Sequence, residues 1–135
     1  MSQSNPAIPV TSVLVVDDDQ DAREMLSEYL AFCGFVVHRA QDGSEAIELA
    51  VRVRPRVVLM DLMMPRMDGW EAARRLKTDD RTRGIRIVAV SACSHADERA
   101  RARRVGCDDF IAKPIDLDHI AQVVKRMGRK DARSC

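Results

Sequence analysis

Val13-Leu14-Val15-Val16 is an unbroken apolar run that ends directly in Asp17-Asp18-Asp19. A strand with one wet face alternates apolar and polar side chains. A run without alternation fits a strand covered on both faces, as in a parallel sheet. Comparable runs recur at Phe35–His38, Val57–Met60, Ile85–Val90 and Phe110–Ala112. Between them the apolar residues change to a helical period. Ala22, Met25, Leu26, Tyr29 and Leu30 share one face, as do Ala46, Ile47, Ala50 and Val53. Ala72, Ala73 and Leu76 mark a third helix, and Leu117, Ile120, Ala121, Val124 and Met127 a last one. Strands alternating with helices predict five β–α units, hence an α/β protein with helices on both faces of a parallel sheet and right-handed crossovers.

The punctuation supports this division. Asp21/Glu24, Asp42/Glu45, Asp68/Glu71 and Ser94/Asp97 have the spacing of capping boxes, in which two side chains satisfy the free amides of a first turn. Gly34 and Gly128 stand where the first and last helices should stop. The fourth helix, about Ala96–Val105, has the weakest apolar pattern because it is built mainly from Arg and Ala.

At 135 residues the chain has the size of one domain, here 11–127, with tails at 1–10 and 128–135. No second domain fits, so the expectation is a stand-alone module whose output passes through its surface to a partner. No apolar stretch is long enough to span a bilayer, and the start lacks the basic and apolar regions of a cleavable signal. Cys33, Cys93, Cys107 and Cys135 form no C-x-x-C pair and meet no His at zinc-finger spacing, so they read as free thiols in a reducing cytoplasm.

The net charge of +1 conceals a division. Residues 1–65 hold five basic against ten acidic side chains, and residues 66–135 hold seventeen against eleven. An acidic front and a basic back predict two distinct surfaces.

In open α/β sheets, ligands bind beyond the carboxyl ends of the strands. The first strand delivers Asp17, Asp18 and Asp19 there, the third Asp61, the fourth Ser91, and the fifth Lys113 before Pro114. If the first and third strands are neighbours, their carboxylates converge. Like charges about 5 Å apart repel by roughly 3 kcal/mol per pair at an effective dielectric near 20, so the cluster calls for a cation. Hard oxygens without a soft ligand point to Mg²⁺, whose shell is commonly completed by phosphate oxygens. A hydroxyl and an ammonium group suit a phosphoryl group as well.

With those residues in place, the chain resembles the receiver domain of two-component response regulators over about Thr11–Met127. The likeness rests on Val15-Val16-Asp17-Asp18-Asp19, Asp61-Leu62-Met63-Met64-Pro65-Arg66-Met67-Asp68-Gly69, Ser91-Ala92, and Gly106-Cys107-Asp108-Asp109-Phe110-Ile111-Ala112-Lys113-Pro114. Each stretch is modest alone; all four in order are specific. The resemblance implies a doubly wound, flavodoxin-like (βα)5 sheet in strand order 2-1-3-4-5. It implies Asp61 as phosphoacceptor, served by a sensor histidine kinase or a histidine phosphotransfer protein. Asp18 is implied as a direct Mg²⁺ ligand beside Asp61, with Asp17 acting mainly through a metal-bound water and the backbone carbonyl of Met63 as a further ligand. Lys113 is implied to pair with the phosphoryl group, Ser91 to hydrogen-bond it, and Phe110 to turn inward as the switch. The Lys113–Pro114 bond is implied to be cis, the one peptide type in which cis is inexpensive. Output is implied to leave through the fourth helix, fifth strand and fifth helix to a target protein. The module itself would be no enzyme beyond assisting its own phosphorylation and dephosphorylation.

Phe110 stands where the family often has Tyr, and Ser91 where it often has Thr. The resemblance implies that Met63 and Cys93, at the family's variable positions two beyond the acceptor and the hydroxyl residue, flank the path of attacking water and tune the phosphoryl lifetime. Asp19 reads as a helix-start residue rather than a ligand. Met60, Met63, Met64 and Met67 read as packing and loop residues rather than a copper site. Arg99, Arg101, Arg103 and Arg104 lack interleaved aromatics, which argues against direct nucleic-acid binding; an Asp97–Arg101 pair should steady the helix. A basic output face preferring an acidic partner is the sharper expectation. Two other readings compete. One is a phosphorylation-independent adaptor that keeps the fold and merely docks partners. The other is a phosphoester hydrolase, disfavoured because Met63 supplies no general acid two residues beyond the nucleophile.

Overall fold

The computed structural model describes residues 11–64, 67–93 and 95–129. The expected tail at 1–10 and residues 130–135 of the expected tail at 128–135, together with Pro65, Arg66 and Ser94, lie outside the described residues. The elements alternate as expected: β1 (Ser12–Val16), α1 (Gln20–Phe32), β2 (Val36–Ala40), α2 (Gly43–Val53), β3 (Val57–Asp61), α3 (Gly69–Thr78), β4 (Arg86–Ser91), α4 (Ala96–Arg104), β5 (Asp109–Ala112) and α5 (Leu117–Met127). All neighbouring strands pair in parallel, in the order β2-β1-β3-β4-β5.

The unalternating runs are explained by burial. Val13–Val16 and the whole of β3 are buried, whereas on the edge strands only Ala40 of β2 and Ile111 of β5 are. Successive side chains of a strand point to opposite faces, and the core divides accordingly. Leu14, Val16, Val58, Met60, Ile87 and Ala89 pack under α2, α3 and α4, with Ala46, Trp70, Leu76 and Ala102. Val13, Val15, Val57, Leu59, Val88 and Ile111 pack under α1 and α5, with Leu26, Leu30, Ile120 and Val124.

The helix starts follow the capping reading at α2 and α3 and depart from it at α1, while the Ser94/Asp97 pair rests on Ser94, outside the described residues. Asp42 and Asp68 accept hydrogen bonds from the amides of Glu45 and Glu71 at 2.8 and 3.0 Å. At α1, however, the cap is Asp19, which accepts from the Asp21 amide, while Glu24 takes a bond from the Gln20 side chain instead. The helix therefore begins earlier than Asp21/Glu24 predicts, and Asp19 is the helix-start residue. α5 is capped by Asp116, which the spacing did not single out. At α4 the cap position is His95, without a side-chain cap bond, and only Ala102 of the helix is buried. Gly34 follows α1 with φ +101°, the left-handed turn that glycine permits. Gly128 also ends its helix, but in an ordinary right-handed conformation. The Lys113–Pro114 bond is cis.

Candidate functional site

Register alone brings the expected residues to one edge of the sheet. Val16 pairs with Met60, so Asp17 and Asp61 leave adjacent strands side by side. Asp61 pairs with Val90 and Ser91 with Ala112, which places Ser91 and Lys113 on the next two strands at the same end. The ladder continues one step past β3, where the Leu62 amide bonds the Val90 carbonyl at 3.1 Å. The loop after Asp61 thus starts from fixed backbone.

Carboxylate oxygens of Asp17, Asp18 and Asp61 all lie within 4.8 Å of one another. Asp17 and Asp61 are buried, while Asp18 is exposed. Asp17 is held on three sides. Its Oδ1 accepts from the Asp19 amide at 2.9 Å, its carbonyl accepts from the Arg23 guanidinium at 2.7 Å, and its own amide bonds Ala40. Asp61 Oδ1 accepts from the Met63 amide at 3.1 Å, which curls the loop back over the carboxylate. Lys113 Nζ stands 3.7 Å from both Asp17 Oδ2 and Asp61 Oδ2. That is ion-pair range but beyond a hydrogen bond, so the ammonium is shared between two acids rather than committed to one.

Burial pushes the Asp61 carboxyl up to about 6. The Met63 amide bond pulls it down, the negative Asp17 raises it, and Lys113 lowers it. The dominant cause is removal from water, and an excess of carboxylates adds to it. Three hard anionic oxygens facing one ammonium leave net negative charge in a largely buried pocket, which fits a hard divalent cation such as Mg²⁺. The donor set thus passes the chemical test for that ion.

Ser91 is 1% exposed, and its Oγ accepts from the Cys93 amide at 3.1 Å. Met63 is 61% exposed, so its side chain points away from the core. Phe110 is half-buried, and the Arg99 guanidinium lies over its ring at 4.7 Å from the centroid. Arg101 lies over Trp70 at 4.1 Å and so takes an aromatic partner rather than the expected Asp97. The basic helix is therefore interleaved with aromatics in space although not in sequence.

Sequence reasoning passed over Arg23. It lies one helical turn into α1, and a guanidinium bonding a main-chain carbonyl leaves no pattern of residue types to read. It also passed over Lys77, which pairs with Asp108 at 3.0 Å and bonds the Ile85 carbonyl at 2.7 Å, tying α3 to the loop before β5.

A family model described as a response regulator receiver domain matches residues 13–125. The chain is similar to Response regulator MprA of Mycobacterium sp. (strain KMS), 38% identical over 120 residues that cover 87% of this chain and 50% of that protein. It is also similar to the DNA-binding dual master transcriptional regulator RpaA of Synechocystis sp. (strain ATCC 27184 / PCC 6803 / Kazusa), 31% identical over 90% of this chain and 50% of the other. The chain spans about half the length of these curated relatives. Among solved structures, chemotaxis protein CheY4 of Vibrio cholerae superposes with a TM-score of 0.84 at 26% identity, covering 88% of this chain and 99% of that one. A CheY-like receiver domain protein from Methanospirillum hungatei JF-1 reaches 0.85 at 20% identity over 94% and 100%, a likeness of fold alone.

Proposed function

The chain belongs to the response regulator receiver domains, and from this we propose that it is a phosphorylation-activated switch with Asp61 as the acceptor. The observation that carries this reading is the pocket itself: a buried Asp61 beside Asp17 and Asp18, with Lys113 Nζ 3.7 Å from two of the three acids. In the proposed step a carboxylate oxygen of Asp61 forms the new bond to phosphorus. The P–N bond to the donor imidazole breaks, and its electron pair returns to the nitrogen, giving an acyl phosphate. The donor is a histidine kinase or a histidine phosphotransfer protein.

Asp17, Asp18, Asp61 and the Met63 backbone carbonyl are the groups that would hold Mg²⁺. When bound there, the ion compensates the charge of the carboxylates and of the phosphoryl oxygens. Lys113, already suspended between two acids, shifts its ammonium toward the new phosphoryl oxygens without first giving up a hydrogen bond to either acid. The Ser91 hydroxyl accepts from Cys93 and retains its own proton to donate to one of those oxygens. Movement of Ser91 is passed to Phe110 on the adjacent strand, and the two-state equilibrium is read by a target protein across α4, β5 and α5. The chain turns over no external substrate; it assists only its own phosphorylation and hydrolysis. We place it in the cytoplasm, in keeping with the free thiols of Cys33, Cys93 and Cys107. Among the described residues no helix is long and apolar enough to cross a membrane.

The test is direct. Incubation with Mg²⁺ and an acyl phosphate donor should add the mass of one phosphoryl group to the wild-type chain and none to Asp61→Asn. No gain on the wild type would favour a docking module that works without phosphorylation.

A further inference from the structure

α2 begins on Gly43 and α3 on Gly69, and both glycines stand against the loop that carries the acceptor. A Cβ at Gly69 would collide with the Asp61 carbonyl oxygen and would lie 2.6 Å from Leu62 Cα. A Cβ at Gly43 would lie 2.7 Å from the Met67 carbonyl oxygen, 3.0 Å from Met67 Cγ and 3.2 Å from Ala72 Cβ. In both cases the nearest obstacle is backbone, which cannot swing aside as the end of a side chain can. Neither glycine has a positive φ, so each position needs space rather than conformational freedom.

Among its described residues, the loop is held by a few bonds at its two ends. Its start is curled by the Met63 amide on Asp61 Oδ1 at 3.1 Å. Its end is tied by the Gly69 amide on the Leu62 carbonyl at 3.2 Å and by the Asp68 cap on Glu71. Met67 lies two residues before Gly69, and Gly69 rests on the backbone of Asp61 and Leu62. Pressure on Met67 is therefore delivered, through Asp68 and Gly69, to the residue that reacts.

We propose that Gly43 is a positioning residue for the phosphoacceptor loop: its missing side chain lets the first turn of α2 seat against Met67 and so fixes where Asp61 and the Met63 carbonyl stand. The proposal rests on the reading of Asp61 given above. An alanine at 43 would have to move from 2.7 Å to the 3.4 Å of ordinary contact, so the loop must retreat by about 0.7 Å. Displacements of that order matter for a site that binds an ion and orients an in-line transfer.

The experiment compares Gly43→Ala with Gly84→Ala, whose Cβ would meet nothing within 4 Å. Trp70, the chain's one tryptophan, is buried beside Gly69 and serves as the optical probe for Mg²⁺ titration. In Gly43→Ala the Mg²⁺ half-saturation should rise about tenfold, as for other residues that orient metal ligands indirectly. Phosphoryl acceptance should slow in parallel, and the amide resonances of Leu62 and Met63 should shift in the metal-free protein. The clash should lower the metal-free unfolding midpoint modestly, so every reading is taken well below it, where each variant is folded. Gly84→Ala should change none of these. Unchanged Mg²⁺ half-saturation and unshifted amides in Gly43→Ala would overturn the proposal. So would equal losses in Ile87→Val, which lowers the midpoint from the core without touching the loop, since Gly43 would then be structural only. If the wild-type chain accepts no phosphoryl group, the phosphoacceptor reading falls first, and Gly43 is judged on the Mg²⁺ and amide measurements.

Discussion

Asp61 shows what burial does to a single carboxyl. Its folded value of about 6 lies above the ordinary 3.8, so the fold keeps a proton that the unfolded chain has already lost. The Asp61 contribution to the stability of the metal-free protein therefore falls as pH rises from about 4 to about 6, with the full penalty present above 6. Asp61→Asn removes that penalty. At pH 7.5 without Mg²⁺ it should be more stable than the wild type by on the order of 2 kcal/mol, a gain that fades as pH is lowered to 4. Urea unfolding at the two pH values measures it. Cys107 is the second residue governed by burial: desolvation, with Asp108 adding and Lys77 opposing, pushes its thiol up to about 12. Iodoacetamide at pH 8 should label the exposed Cys33 in the folded protein and reach Cys107 only after denaturant is added, as peptide mass mapping would show.

At the scale of elements, α4 differs from its neighbours. Among the described residues it buries only Ala102, its cap position His95 makes no side-chain cap bond, and two of its guanidinium groups rest on aromatic rings, Arg99 on Phe110 and Arg101 on Trp70. Partly exposed contacts of that kind contribute about 0.5–1 kcal/mol each. Amide exchange in α4 should accordingly be the fastest among the five helices, and Arg101→Ala should accelerate it further while leaving α5 unchanged. The sequence made this helix the least certain for the same reason: a segment with little apolar periodicity has little burial. What the residue order could not disclose is the aromatic support, because Trp70 and Phe110 lie in other elements. The same limit left two starts open for α1, the Asp19 helix start that the structure adopts and the Asp21/Glu24 box that it does not. Asp19 and Asp21 are both plausible starts by type, and only the backbone turn after Asp17 selects between them. The strands were more legible, since Val13–Val16 and Val57–Met60 are buried on both faces and must therefore be apolar throughout.

For the whole molecule, the sheet divides the core into two bodies of side chains that share strands but not faces. Ile87 belongs to one and Ile120 to the other, and both are fully buried. Ile87→Val and Ile120→Val should each cost about 0.5–1.5 kcal/mol and should add to within about 0.5 kcal/mol in the double variant, as urea titrations would show. The site itself was legible in the acids, hydroxyl and lysine at the strand ends, because a parallel sheet sends every strand's carboxyl end to one side. Their support was not legible: Arg23 behind Asp17 and the glycine contacts under the loop depend on distances between elements. Finally, α2 ends at Arg54 in a left-handed conformation, φ 48°, just before Pro55. A chain cut there would carry Asp17 and Asp18 on one fragment and Asp61, Ser91 and Lys113 on the other. On the reading of Asp61 proposed above, neither fragment holds the whole acid pocket, so label appearing on Asp61 should count reassembled molecules, making the break point a ready seam for a split reporter.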